Sequence, residues 1–431
     1  MDRFKHTLCA EIDAVLTVDP HSHLRPGKPE ADNLADIVFY HHVWIELVSS
    51  GMPIKAVTKA GMPHETADPE MPPLDRLRAA LPYLANIGST TCGNMLRTIL
   101  RDLYDVPDGR LTAGNLEDAF ARVAERNSDP GWRSQLLGNR CRIARSLTVE
   151  GGESAETDSF IGRGMEGVPA TLQDPRRSPL DMFGWIEHQL GETVNTAGQY
   201  AQAMRGLGRE RANRDIHFVG MWALPHLRFI DPPGSEVTQV IADVKAGRQP
   251  TGDQQSALWS FGVRRFLEGM REGRLRTIQL IVGAEVLPPH RSITMWNGDF
   301  AGALGRLAGA FEDFHFSCSS ACDANIQDLG IVAKHVPNVS VVGYWWHVLY
   351  PWYIRKSIET RLDMVPANKI VAFFSDAYCA EWVYPKLKLV KQIWAEALVD
   401  RVERQLMTED VALALIRQVF YENPARIYGV S

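Results

Sequence analysis

Two histidines, His21 and His23, lie two residues apart directly after the acid Asp19. They follow a short run rich in β-branched residues, 15–18, which indicates a strand. Side chains alternate between the two faces of a strand, so both imidazoles point to the same side, with Cα atoms about 6–7 Å apart. Imidazoles that converge at the carboxyl end of a strand can hold a divalent metal such as Zn²⁺. The alternative is a structural or surface pair, but the position after a buried-looking strand favours a metal site.

A second acid, Asp376, follows Ser375 at the end of another apolar run, residues 370–374. In parallel barrels, acids and histidines at the carboxyl ends of strands are typically catalytic. The alternative is that Asp376 caps the helix that follows the strand. We predict that Asp376 belongs to a site together with the two histidines, because all three occupy matching positions at strand ends.

The elements that must position these residues alternate between strand and helix. Seven segments have the composition of strands: residues 15–18, 141–149, 216–224, 277–282, 314–318, 339–343 and 370–374. An eighth strand is expected near residues 54–57. Helical patterns cover other segments, among them residues 31–50 and 183–204. Residues 52–82 and 151–179 are loop-like and are expected to lie over the site. The repeated alternation favours a parallel sheet.

The motif Asp19-x-His21-x-His23 after the first strand resembles the amidohydrolase superfamily, and the chain is most similar to its uronate isomerase branch over nearly its full length. The resemblance implies an α/β fold, a (β/α)₈ TIM barrel of the metal-dependent hydrolase type, with metal at its carboxyl rim. Such a barrel needs about 250 residues and tolerates large insertions. We therefore expect a single domain over residues 1–431, with a mainly helical insertion at about 52–140 and a loop–helix insertion at about 151–210.

Several positions match the isomerase motifs. Asp376 matches an aspartate that acts as metal ligand or general base, and His41 matches a histidine of the helix after the first strand. His41 is thus a candidate for substrate binding or proton transfer, and the alternative is an ordinary histidine on a helix surface. Arg228 matches an arginine that binds the substrate carboxylate, for which its planar fork is suited, although it could equally be a surface or ion-pair arginine.

The aromatic pair Trp345 and Trp346 also matches the isomerase pattern. These side chains could form the wall of a substrate pocket or simply pack in the core. His347 follows them at the expected rim, and it is a further candidate for substrate binding. His226, two residues before Arg228, is close enough in sequence to join the same site.

The chain departs from the isomerase pattern at two positions. Tyr378 replaces an arginine two residues after Asp376, and a phenol can donate a hydrogen bond but supplies no positive charge. Ile281 replaces a histidine, and isoleucine has no polar group to offer. Either His226 or His315 could provide a third histidine for the metal, with a core histidine as the alternative for His315.

The leading hypothesis is a metal-dependent isomerase that interconverts the aldose and ketose forms of a sugar acid. The resemblance implies one divalent metal, with Zn²⁺ expected, and a small carboxylate substrate. The implied roles are metal binding for His21, His23 and Asp376, catalysis for Asp376, His41 and Tyr378, and substrate binding for Arg228, Trp345, Trp346 and His347. The alternatives are a hydrolase or lyase of the same superfamily, in which the site activates water, and a degenerate barrel that binds a small acid without catalysis.

Composition excludes some classes of partner. The formal net charge of −6 argues against binding to nucleic acid or to an anionic membrane surface. The six cysteines are scattered, which predicts reduced thiols and a cytoplasmic location. Acids near the N-terminus are unlike a signal peptide, and no apolar stretch is long enough to span a bilayer. We further expect a homo-oligomer.

Overall fold

The computed structural model describes residues 2–53, 71–149, 160–166, 179–191, 193–223, 228–287, 291–294, 296 and 298–430. Within these residues the strands are β1 (Thr17–Ser22), β2 (Ile143–Thr148), β3 (Ile161–Arg163), β4 (Met165–Glu166), β5 (Val219–Ala223), β6 (Thr277–Val282), β7 (Ala284–Leu287), β8 (Arg291–Thr294), β9 (His315–Ser320), β10 (Val339–Val342) and β11 (Ile370–Val371).

The helices of the same residues are α1 (Asp2–Ala14), α2 (Leu34–Val38), α3 (His41–Ser49), α4 (Pro73–Leu84), α5 (Thr91–Tyr104), α6 (Leu116–Ser128), α7 (Pro179–Leu190), α8 (Ala197–Ala212), α9 (Gly234–Lys245), α10 (Gly252–Met270), α11 (Phe300–Ala310), α12 (Asn325–His335), α13 (Pro351–Met364), α14 (Ala380–Glu403), α15 (Glu409–Arg417) and α16 (Asn423–Tyr428). Short 3₁₀ or π turns span Ala85–Ile87, Pro107–Gly109, Ser134–Arg140, Trp346–Val348, Ala367–Lys369 and Gln418–Glu422.

The main strands run parallel and follow one another nearly in chain order. One sheet has the order β1-β2-β3, and a second has the order β11-β10-β9-β6-β5-β4, while β7 and β8 form an antiparallel hairpin. Only Gly164 separates β3 from β4. The backbone N–H of Asp376 donates to the carbonyl of His21 over 2.9 Å, and that of His23 donates to the carbonyl of Ala377 over 2.9 Å. The chain beyond β11 is therefore bonded to the end of β1, and the prediction of an α/β chain with parallel strands is confirmed.

One stretch predicted to be a loop, residues 151–179, contains β3 and β4. This prediction was wrong because glycines interrupt the side-chain alternation by which strands are recognised. Close packing requires these glycines, since a Cβ at Gly164 would lie 2.2 Å from the Phe218 ring and one at Gly162 would lie 2.7 Å from Leu147. The eighth strand expected near residues 54–57 lies outside the described residues.

Residues 31–50 form two helices, α2 and α3, rather than the single helix that their apolar spacing predicts. The break falls at Tyr40, whose backbone is extended at ψ 135°. The Tyr40 hydroxyl donates to the carbonyl of Asp376 over 2.8 Å, so a tertiary hydrogen bond holds the break. Residues 183–204 are likewise divided between α7 and α8, because Thr196 accepts from the backbone of Gln199 and begins a new helix there.

Between β1 and β2 the described residues are mainly helical, and a buried acid anchors these helices. Glu381, in the first turn of α14, accepts hydrogen bonds from the Tyr104 hydroxyl and the Asn127 amide, each over 2.9 Å. The backbone N–H of Ala31 donates to the same carboxylate over 3.0 Å. The helices α5 and α6 are thereby fixed to the segment that directly follows Asp376.

The two ends of the strands are occupied by different parts of the chain. His21 lies near the carboxyl end of β1. At the amino end, the Thr277 hydroxyl donates to the carbonyl of Ile427 over 2.9 Å, and His217 Nδ1 lies 2.9 Å from the carbonyl oxygen of Tyr428. The C-terminal helix α16 thus packs at the opposite end of the sheet from the two histidines of the sequence motif.

No helix of the described ranges has the length and apolar character that crossing a membrane requires. All six cysteines lie within the described residues and carry free thiols, as their scattered positions predict.

Candidate metal centre

Three ligand atoms converge at the carboxyl end of β1. Asp376 Oδ1 lies 3.3 Å from His21 Nε2 and 3.4 Å from His23 Nε2. These three side chains have their ligand atoms within 4.8 Å of one another, which is close enough to share one metal ion. Among the described residues, no other cluster of three histidines, cysteines or acids meets this distance. Two ligands about 2.0–2.2 Å from a tetrahedral Zn²⁺ lie about 3.3–3.5 Å apart. The donor set and its spacing therefore fit a divalent metal.

The charge of the site also suits a cation. Burial alone raises the pKa of Asp376, but hydrogen bonds and charge from His21 and His23 hold that pKa well below its ordinary range. The carboxyl group is thus ionised at neutral pH. Asp376 is 5% exposed and His21 is 6% exposed, so water competes weakly for their ligand atoms.

The backbone at Asp376 is held in a rare conformation. Its φ of +50° lies in the left-handed region, which costs a residue other than glycine about 1–3 kcal/mol. The Tyr40 hydroxyl and Lys386 Nζ both donate to the carbonyl of Asp376, over 2.8 and 3.3 Å. Lys386 is fully buried and also donates to the carbonyl of Ser375 over 2.6 Å. Sequence reasoning missed Lys386, although a lysine among apolar residues of α14 was a usable signal.

Asp19, the acid of the sequence motif, binds other strands rather than the metal group. It accepts from the backbone N–H of Ser375 over 2.7 Å, from the Ser375 hydroxyl over 2.6 Å and from the Ser146 hydroxyl over 2.8 Å. Burial raises its pKa despite these hydrogen bonds. Asp19 therefore joins β1 to β2 and to the segment that carries Asp376.

An aromatic wall adjoins the metal group. The Tyr378 ring stacks on His23 with centroids 4.3 Å apart and an interplanar angle of 4°. The His41 ring lies 5.2 Å from Tyr378 and 6.2 Å from Trp346. Trp346 packs at 5.1 Å against Trp345. The structure thus brings four of the predicted catalytic and substrate-binding side chains together beside the metal group.

Two further side chains belong to this aromatic wall. Trp222, at the end of β5, lies 5.9 Å from Trp345, and no sequence motif pointed to it. The His347 ring lies 6.0 Å from Trp346, and burial lowers its pKa, which favours a neutral imidazole. Ile281, which replaces a histidine of the isomerase pattern, packs in the apolar cluster with Trp345 and Trp346.

Arg228 is placed differently from the other candidates. Its guanidinium forms an ion pair with Asp253, in which the arginine side chain is 41% exposed and the acid 80% exposed. Its backbone is fixed by α10, since the Ser256 hydroxyl accepts from the N–H of Arg228 over 3.1 Å. His226 lies outside the described residues, so its proposed part in the site stays a prediction.

His315 cannot provide a third histidine for this group. It is the first residue of β9, at the opposite end of the strand from the metal group, and its Nε2 lies 2.9 Å from the Ser340 hydroxyl. Burial, followed by the charges of Arg426 and Lys369, lowers its pKa to about 4. The structure therefore supports the alternative of a satisfied core histidine.

Comparison with solved structures assigns the fold. Uronate isomerase from Thermotoga maritima matches with a TM-score of 0.80 and 14% identity, over 99% of this chain and 97% of that one. Glucuronate isomerase from Caulobacter crescentus matches with 0.79 and 16%, over 100% and 94%. A uronate isomerase from Bacillus halodurans matches with 0.75 and 15%, over 100% and 97%. No protein-family model and no curated protein matches the sequence. The chain has the fold of these isomerases, and the resemblance predicted from the sequence is confirmed at that level.

Proposed function

We propose that this protein is a metal-dependent isomerase that interconverts the aldose and ketose forms of a hexuronate. One observation carries the proposal: Asp376 Oδ1 lies at tetrahedral ligand spacing from both His21 and His23, in a chain that shares the uronate isomerase fold over 99% or more of its length. Zn²⁺ suits two imidazoles and one carboxylate, so it is the metal we expect.

The proposal includes a closed barrel. The parallel strands follow one another from β1 to β11, and backbone hydrogen bonds from Asp376 and His23 return the last segment to the first strand. Counting β3 and β4 as one strand interrupted by Gly164 gives the eight parallel strands of a (β/α)₈ barrel. The ligands then lie at the carboxyl rim, where barrel enzymes carry their sites. The six free thiols support a cytoplasmic location.

The reaction moves one proton between adjacent carbons and one between their oxygens. Both histidines contact Oδ1 of Asp376, which leaves Oδ2 as the oxygen that can face a substrate carbon and accept its proton. The ring centroids of Tyr378 and His41 lie 5.2 Å apart. We assign the Tyr378 hydroxyl and the His41 ring to carry the proton between the two sugar oxygens. A bound divalent ion supplies polarisation of those oxygens.

Substrate binding is proposed to use the aromatic wall and Arg228. Trp345, Trp346 and Tyr378 offer flat apolar faces to the C–H groups of a sugar ring. Arg228 is paired with an exposed carboxylate of Asp253, so binding a substrate carboxylate would exchange one partner of the same chemistry for another. After the exchange, Arg228 is paired with the substrate and the exposed Asp253 carboxylate is solvated by water, so no buried charge is left without a partner.

A second candidate is hydrolysis of a small ester, lactone or amide in the same site. The observation that favours it is Tyr378, a neutral and 37% exposed phenol where the isomerase pattern has a cation. In this case Asp376 would accept a proton from water instead of from carbon.

The test is to incubate the Zn²⁺-loaded protein with glucuronate and galacturonate in D₂O and to follow the sugars by ¹H and ¹³C NMR. We expect a ketose product with deuterium at the carbon that receives the proton. Chelation of the metal and Asp376→Asn should each abolish the product. Release of acid from esters or lactones, with no ketose from any hexuronate, would contradict the isomerase and support the hydrolase.

A further inference from the structure

His21 is connected to the C-terminal end of the chain by a line of buried hydrogen bonds. His21 Nδ1 lies 2.6 Å from Oε1 of Gln279, in the middle of β6. Gln279 Nε2 donates to the hydroxyl oxygen of Tyr428 over 3.0 Å, and that hydroxyl donates to Ser317 Oγ over 2.8 Å. Gln279 and Ser317 are fully buried, and Tyr428 is 2% exposed.

One carbonyl group fixes which atom donates and which accepts in each hydrogen bond of this line. Gln279 Nε2 also donates to the carbonyl of Pro20 over 3.1 Å, and a carbonyl can only accept. The amide nitrogen must therefore face Pro20 and Tyr428, and the amide oxygen must face His21. An amide oxygen accepts, so His21 Nδ1 must carry a proton, and Nε2, which faces Asp376, is left as the ring nitrogen that can bind a metal.

The Tyr428 hydroxyl stabilises this orientation of the Gln279 amide. Burial raises the pKa of Tyr428, so the hydroxyl stays protonated and donates to Ser317 while it accepts from Gln279. The backbone of the same segment also contacts the amino end of the strands, where the Thr277 hydroxyl donates to the carbonyl of Ile427 and His217 Nδ1 lies beside the carbonyl of Tyr428. The C-terminal segment thus reaches the metal group from the opposite end of the sheet.

We propose that Gln279 and Tyr428 are positioning residues of the metal centre: Gln279 fixes His21 as the Nδ1–H tautomer with Nε2 directed at the metal, and Tyr428 acts only through Gln279. This makes the C-terminal segment a functional part of the site. The inference rests on the proposed metal site but not on the reaction carried out there. Residues that orient a ligand histidine in this way typically change metal affinity by about 10–100-fold.

The experiment measures the Zn²⁺ affinity of the full chain by competition with a chelator, in a double-mutant cycle. We expect Gln279→Leu to weaken binding about 10–100-fold. Tyr428→Phe should weaken binding less in the wild-type background and not at all in the Gln279→Leu background, because its effect passes through Gln279. Thermal unfolding of each variant shows that it is folded.

The matched control is Thr277→Val. Thr277 lies two residues before Gln279 on β6 and bonds the same C-terminal segment at Ile427, but it does not contact the line itself. We expect unchanged Zn²⁺ affinity for this variant. An equal loss in Thr277→Val would overturn the proposal, because the effect would then come from the packing of the tail.

A measurement on the unmodified protein covers the case in which a variant does not fold. In the ¹⁵N-labelled, Zn²⁺-loaded wild type, we expect His21 to show a protonated Nδ1 that exchanges slowly with water. A proton on Nε2, with zinc on Nδ1, would overturn the proposal. If the wild type binds zinc and Gln279→Leu binds it with the same affinity, this inference alone is overturned. If the wild type binds no zinc, the proposed metal site is overturned as well.

Discussion

At the scale of single residues, the site depends on how Asp376 is held. Its left-handed backbone is unfavourable for an aspartate, and three hydrogen bonds from two donor groups offset this cost by binding the carbonyls of Ser375 and Asp376. Those donors are the Tyr40 hydroxyl and the Lys386 ammonium group, which is used more than once. Tyr40 and Lys386 also bond each other over 2.6 Å.

Tyr40→Phe removes one of these donors and keeps the ring, which stacks on Trp382 at 4.3 Å. We expect a loss of about 1–3 kcal/mol in the free energy of unfolding, because a buried carbonyl and the Lys386 ammonium group each lose a partner. Zn²⁺ affinity should fall as well, since Asp376 is less firmly oriented. Urea unfolding and chelator competition measure the two effects.

Tyr200→Phe is the control for this prediction. Tyr200 is also fully buried, but its hydroxyl donates to the carbonyl of Leu258 over 3.4 Å, which joins α8 to α10 rather than supporting Asp376. We expect unchanged Zn²⁺ affinity in this variant. If both variants lose affinity equally, Tyr40 has no specific part in holding Asp376.

The second prediction at the scale of single residues concerns the effect of Tyr378 on the rate of turnover. One lost donor to a developing negative charge typically costs about 10²–10³ in rate, and a phenol provides less stabilisation than a guanidinium. We therefore expect low turnover of glucuronate and galacturonate, and a rise of at least about tenfold in kcat for Tyr378→Arg. Turnover of glucuronate or galacturonate by the wild type at ordinary enzyme rates, or no gain in kcat for Tyr378→Arg, would contradict this prediction.

The spacing of residues in the sequence predicts the metal ligands better than it predicts the side chains that hold those ligands in position. His21, His23 and Asp376 could be brought together from the sequence because strand ends in a parallel sheet meet at one edge. Gln279 and Lys386 were missed, because each lies in a different element and the sequence does not show which ligand its side chain supports. Arg228 shows the limit of matching by motif, because an ion pair with Asp253 decides where its guanidinium lies.

At the scale of elements, strands with strong alternation were predictable and the glycine-interrupted strand was not. The six segments from β2 to β11 that the apolar pattern identifies each contain a strand, with β9 running two residues past its predicted end at 318, but Gly162 and Gly164 conceal β3 and β4. Helix boundaries failed for a different reason. The break at Tyr40 is held by a contact with Asp376, 336 positions away, and no local pattern contains that contact.

His315 at the start of β9 gives a prediction about pH. Its pKa is about 4 in the folded chain and near 6.5 when exposed, so the unfolded chain binds more protons between these values. Stability should therefore be lost as the pH falls from about 6.5 towards 4, by about 2 kcal/mol at pH 5 from this residue. His315→Gln should remove that part of the loss, measured as urea unfolding at pH 7 and pH 5.

His6→Gln serves as the control, because His6 is an exposed histidine on α1. We expect its pH dependence to match that of the wild type. If His315→Gln loses as much stability between pH 7 and pH 5 as the wild type does, His315 is not held neutral in the folded protein.

At the scale of the whole molecule, the fold is retained although sequence identity to the solved isomerases is only 14–16%. Apolar patterning of strands and helices specifies such a fold, and many sequences satisfy the same pattern. Chemistry depends instead on particular side chains in the site. That is why the α/β architecture could be predicted from the alternation of strands and helices, whereas the replacements at Ile281 and Tyr378 alter the site without altering the fold.

The most direct test of the account is the metal content of the purified chain. After incubation with Zn²⁺ and removal of unbound ion, elemental analysis should find one equivalent per wild-type chain and none in the double variant His21→Ala/His23→Ala. His315→Gln removes a histidine at the opposite end of the sheet and should keep the full equivalent. One equivalent retained in the folded double variant would contradict the account, because the metal would then lie at other residues.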